Sequence, residues 1–74
     1  MNKLKIQKSL QELDLDLEII KKLNQHQINR IEELWKLKRK NLKEFGLTDA
    51  QIKHISIKLQ LHSLDLNQKV YHRN

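Results

Sequence analysis

The chain has no cysteine and no proline, and Gly46 is its one glycine among 74 residues. Without cysteine there is no disulfide staple, no thiolate nucleophile and no soft metal ligand, which fits a reducing cytoplasm. Without proline or further glycine there is no flexible linker, so helix boundaries must be set by polar caps. Aromatic side chains are scarce, one each of Trp, Tyr and Phe, so the basic segments lack interleaved rings for base stacking. No apolar run approaches the ~20 residues needed to cross a bilayer, and the Met1 to Lys5 start lacks the apolar core of a signal peptide. The expectation is a cytoplasmic protein with no membrane partner.

What the chain does have is positive charge, +6 net, with a pI of 9.8. That balance favours polyanionic partners. The charges are segregated. Lys3, Lys5 and Lys8 open the chain, Glu12, Asp14, Asp16 and Glu18 form an acidic block, and Lys36, Lys38, Arg39, Lys40 and Lys43 form a basic one. Solvated helix faces would explain this pattern as well as an anion-binding surface would. A chain of this size buries only ~60% of the surface its unfolded form exposes, too little for a deep, water-excluding active site.

The caps divide the chain. Ser9-x-x-Glu12 and Asn29-x-x-Glu32 match the reciprocal capping box, Thr48-x-x-Gln51 is a weaker version, and Asp16 can cap the helix that follows it. They predict a turn near 10–13, helices near 17–24, 30–37 and 39–45, and a longer helix from 49 to about 62. The fold class is therefore all-α, a compact bundle of four to five short helices. Residues 1–8 read as a basic N-terminal segment, 9–66 as a helical binding domain, and 67–74 as a polar tail expected to fray.

In the last helix Ile52, Ile55 and Leu59 make one apolar stripe while Ile57, Leu61 and Leu64 make a second on the opposite side at 100° per residue. Either Leu4 and Ile6 cover the second stripe or it is left for a partner, a second copy of the chain included. Trp35, beside Ile31 and Leu34, can fill the core or anchor a partner, and the core reading is the commoner one.

For chemistry the sequence offers little. There is no phosphate loop, and the carboxylates of residues 12–18 have no apolar setting, so they read as caps and solvated charge rather than as an acid/base pair. His54 and His62 flank Lys58 on one helix face, His26 lies in a turn and His72 in the tail, with no acidic partner at ligand spacing. No enzyme, metal, cofactor or small-molecule substrate is expected. The hairpin Phe45-Gly46-Leu47-Thr48 is a candidate phosphate grip, since glycine permits a tight turn and amides at the next helix start can donate to phosphate oxygens. A glycine C-cap followed by a threonine N-cap explains the same residues without a ligand.

From Leu10 to Leu66 the chain resembles the C-terminal domain of the bacterial RNA polymerase alpha subunit, a helix-hairpin-helix domain. The carrying residues are Leu13-Asp14-Leu15, Leu23, the series Ile28, Ile31, Leu34 and Leu42, then Leu47, Ile52, Ile55 and Leu59, and the closing Leu64-Asp65-Leu66. One residue fewer separates Leu42 from Leu47 than in the family. The resemblance implies a transcription-associated module that binds DNA or a protein of the transcription machinery. In that family an arginine and an asparagine of the first helix, and a glycine, lysines and a serine at the start of the last, grip the minor groove. The matching positions here are Glu18 and Lys21, then Thr48, Asp49, Ala50 and Gln51, so Lys21 alone keeps a phosphate-binding side chain. At Ile19, small or polar in the family, the same surface is suited to a protein contact.

Leu42-Lys43-Glu44-Phe45-Gly46-Leu47 also resembles the closing segment of sterile alpha motif domains, although their glycine-histidine-arginine triplet is missing. That resemblance implies protein binding through helix ends. Two expectations follow. If the chain binds nucleic acid, Lys21, Lys36, Lys38, Arg39, Lys40, Lys43, Gly46 and Thr48 carry the contact. If it binds protein, Ile19, Trp35, Ile57 and Leu61 do.

Overall fold

The computed structural model describes residues 9–70. A 3-10 turn, Leu10–Leu13, leads into α1 (Leu17–Gln25), α2 (Ile31–Trp35), α3 (Arg39–Glu44) and α4 (Asp49–Gln60), followed by a two-stranded ribbon of β1 (Leu64–Asp65) and β2 (Lys69–Val70). The body is helical, as expected. The ribbon departs from the all-α expectation.

The helix ends follow local chemistry. Ser9 Oγ accepts from the Gln11 amide at 3.2 Å, while Asp16 stands at the α1 N-cap without a side-chain capping bond. Thr48-x-x-Gln51, expected to be the weaker box, closes both ways: Thr48 Oγ1 accepts from the Gln51 amide at 3.1 Å and Gln51 Oε1 from the Thr48 amide at 3.0 Å. The box expected at Asn29 is shifted by one residue. Arg30 is the N-cap of α2, and Glu33, not Glu32, takes the Asn29 and Arg30 amides at 2.8 and 3.1 Å. The reason is packing: Ile31 and Leu34 are fully buried, which fixes the register of α2 and places Glu33 at its third position.

The Asn29 amide above all holds the Glu33 carboxyl below its usual range; burial opposes it, and the Arg30 amide and the Arg30 and Lys36 charges add to the lowering. Because the folded-state value is lowered, the stabilisation is present above the ordinary carboxylate range and is lost as pH falls through the lowered value. Glu33→Gln keeps an acceptor but no charge, and is expected to cost about 0.5 kcal/mol at neutral pH. Urea denaturation of the two proteins should give midpoints that converge in acid; a gap that persists there would remove charge as the cause.

Two helices close by the same device. At the end of α3, Gly46 takes φ +92°, its amide donates to Lys43 O at 3.0 Å, and the Leu47 amide reaches back to Leu42 O at 3.2 Å. α1 ends in the same pattern, with Gln27 at φ +61° and the Ile28 amide on Leu23 O at 2.9 Å. Each brings an apolar residue, Leu47 or Ile28, back against the core.

A single apolar cluster gathers Leu10, Leu13, Leu15, Ile19, Leu23, Ile31, Leu34, Leu42, Leu47, Ile52, Ile55, Leu59, Leu64 and Leu66. α4 is its axis, packed on α3 and β1. Of the second α4 stripe, Ile57 and Leu61 are exposed whereas Leu64 is buried. α4 has already ended at Gln60, and Ser63, at φ +63°, lies in the turn that leads to the buried Leu64. Leu4 and Ile6 lie outside the described residues, as do residues 71–74 of the tail.

The remainder of the tail is tied down. Asn67 and Gln68 adopt φ +66° and +60°, and their amides donate to Leu37 O at 2.8 Å and Trp35 O at 2.9 Å. Trp35 Nε1 donates to Lys69 O at 2.8 Å. Fraying was expected because these bonds join residues too distant in sequence for composition to reveal.

Candidate functional site

The Phe45 to Thr48 hairpin has no amide to spare. The Phe45, Gly46 and Leu47 amides donate to carbonyls of α3, and the Thr48 amide donates to Gln51. The Gly46 carbonyl accepts from Lys22 Nζ at 2.8 Å, and His26 stacks on Phe45 with ring centroids 3.9 Å apart. α1 is thus clasped to the hairpin. Asp49, in the first turn of α4, lies 3.0 Å from Lys43 Nζ, so a carboxylate sits at the helix end that would otherwise favour phosphate. Gly46 and Thr48 serve as caps, which matches the ligand-free reading of the motif.

The basic block divides. Lys36 pairs with Glu32 at 3.7 Å one helical turn away, and Lys43 pairs with Asp49. Lys38, Arg39 and Lys40, at the start of α3, point to a different place. With Lys69, Asn67, Asp65, Leu66 and Ser56 they line an open groove of about 370 Å³ between α3 and the ribbon. Among the described residues none of these four cations is in an ion pair.

The groove's one carboxylate is turned to internal work. Asp65 Oδ1 accepts from Ser56 Oγ and from the Leu66 amide, both at 2.8 Å, and Oδ2 accepts from Gln60 Nε2 at 3.5 Å. The Ser56 and Gln60 bonds fasten β1 to α4, and the groove keeps a local balance of four cations against one carboxylate. Lys69 is the member that sequence reasoning missed, since it lies in what reads as a frayed tail. Lys21, on α1, is exposed but does not line the groove.

The residues expected at a protein contact are scattered. Ile19 is only 1% exposed; it belongs to the core and cannot anchor a partner, because with Leu23 it forms the inward face of α1. Trp35 packs partly buried against the core and spends its N–H on Lys69. Ile57 on α4 and Leu61 at its C-cap are exposed one turn apart, where Lys58 between them reaches Asp14 at 3.7 Å. His62 is exposed, and His54 has a buried Nε2 without a hydrogen-bond partner. Among the described residues no three His, Cys, Asp or Glu side chains gather into a metal-binding group, and no helix is long and apolar enough to cross a membrane. No protein-family model and no curated protein matches the chain.

Proposed function

We propose that this chain is a non-catalytic binding module, of the helix-hairpin-helix or sterile alpha motif type, that holds nucleic acid by its phosphate backbone. A transcription- or DNA-associated role accords with its resemblance to the polymerase alpha C-terminal domain. The observation that carries the reading is the convergence of Lys38, Arg39, Lys40 and Lys69 on one groove, four cations against the single carboxylate of Asp65, with none of the four in an ion pair among the described residues. Like charges held together on a small surface favour a polyanion that replaces their dispersed counterions. With no aromatic side chain lining the groove, contact is to phosphates, and sequence preference is weak.

The mode differs from binding at the hairpin, since the amides of residues 45–48 are occupied internally and the Asp49 carboxylate stands in the first turn of α4. An NMR titration of the labelled chain with a short AT-rich duplex tests this. The expected result is amide shifts at 38–40 and 65–69 that fade as salt rises, with 46–48 little moved. No shift at low salt would sink the reading.

A second reading is supported by the exposed pair Ile57 and Leu61, which suits a protein partner held by apolar contact. Its signature is a salt-tolerant complex lost in Ile57→Ser or Leu61→Ser and indifferent to changes at Lys38 to Lys40.

A further inference from the structure

The ribbon that carries Lys69 is held in place more firmly than its contribution to the core requires. Its share of the apolar cluster ends at Leu66, while both residues of β2, Lys69 and Val70, are exposed. Strands of two residues do not hold themselves together in water. Asn67 and Gln68 are both in the left-handed region, which is costly for residues other than glycine and tolerable for asparagine more than for glutamine. Three bonds offset that cost: the Asn67 amide to Leu37 O, the Gln68 amide to Trp35 O, and Trp35 Nε1 to Lys69 O. Two of the three belong to Trp35, which lies on α2 and does not itself line the groove. These bonds bury no side chain of β2. What they achieve is to fix the backbone of Lys69 across from Lys38, Arg39 and Lys40.

We propose that Trp35 is a positioning residue for the groove: its indole N–H latches β2 so that Lys69 forms a second cationic wall, and a phosphodiester strand lies between the two walls. The inference rests on the nucleic-acid reading above and extends it to a residue that touches no ligand. A rigid second wall lets a fourth cation engage without first being ordered, which is the advantage of a preorganised site.

The test compares the wild type with Trp35→Phe, which keeps a ring in the core but removes the donor, with Lys69→Ala, with Lys69→Arg and with the Trp35→Phe, Lys69→Ala double variant. Each is titrated into a labelled AT-rich duplex across a salt series, with circular dichroism as the check on helix content and amide exchange at Asn67 and Gln68 as the report on the latch. Trp35→Phe and Lys69→Ala are each expected to weaken binding severalfold and to lower the slope of log affinity against log salt by about one. The double variant should bind no more weakly than Lys69→Ala, and Lys69→Arg should bind as the wild type does. Trp35→Phe binding with wild-type affinity and slope, or losses that multiply in the double variant, would overturn the proposal. Wild-type exchange protection at Asn67 and Gln68 in Trp35→Phe would overturn the latch while leaving the groove intact. A wild type that does not bind the duplex at all would overturn both this inference and the reading beneath it.

Discussion

Replacing Lys38, Arg39 and Lys40 together by alanine should leave a folded domain that has lost most of its affinity for duplex DNA. Four phosphate contacts give a salt slope near 0.9 per contact, so the wild-type complex should weaken about a hundredfold between 50 and 200 mM salt. With Lys69 alone left in the groove, the slope should fall to about one and binding at low salt should drop by about two orders of magnitude. Folding should survive. Lys38 caps α3 through its backbone, whose amide donates to Asn41 Oδ1 at 2.9 Å, and all three side chains are exposed.

The informative control is Lys36→Ala with Lys43→Ala, which removes charge from the same block. Those ammonium groups already face Glu32 and Asp49, so their loss should cost much less. Fluorescence anisotropy over a salt series distinguishes the two sets. Equal losses would mean that net charge governs binding, and the groove would have no special role.

That contrast shows where the sequence was informative. Capping residues marked the helix starts to within a residue, although the Ser9 to Glu12 box does not close and Asp16 makes no capping bond; Thr48 with Gln51 and Gly46 with Leu47 act over a few positions and need no knowledge of the rest of the fold. The misplacement at Asn29 is instructive for the same reason. Glu32 and Glu33 both stand at capping distance from a polar residue, and the choice between them was made by burial of Ile31 and Leu34, which is tertiary. Gln27 in the left-handed region had no signal at all, since glutamine has no preference for that conformation.

At the site, the division of the basic block depended on which carboxylates folding brings near. Glu32 is one helical turn from Lys36 and was legible, whereas Asp49 meets Lys43 across the hairpin. Lys69 depends on Trp35, 34 residues away, and a pairing at that separation leaves no local pattern. The second apolar stripe was readable as far as Ile57 and Leu61; Leu64 left it because α4 ends at Gln60 and the turn through Ser63 carries the chain into β1.

The largest effect on stability is expected two residues from one of the smallest. Leu59 has no exposed surface, whereas Leu61 is 61% exposed. Leu59 sits where α4 meets the rest of the apolar cluster, so Leu59→Ala removes buried methyl groups and leaves a cavity, at a cost of roughly 2–5 kcal/mol. A domain of this size has a total stability of roughly 4–11 kcal/mol. The substitution should therefore consume a large part of it and leave a measurable unfolded population near physiological temperature. Leu61→Ala, with most of its side chain already in water, should change stability by less than about 0.5 kcal/mol. Urea denaturation separates them: Leu59→Ala should shift the midpoint strongly downward with an unchanged slope, and Leu61→Ala should hardly move it. The comparison also bears on the second reading of function. If Leu61→Ala were as costly as Leu59→Ala, and the loss depended on protein concentration, the Ile57 and Leu61 face would be covered by a second copy in solution. A small, concentration-independent effect leaves that face free for a different partner.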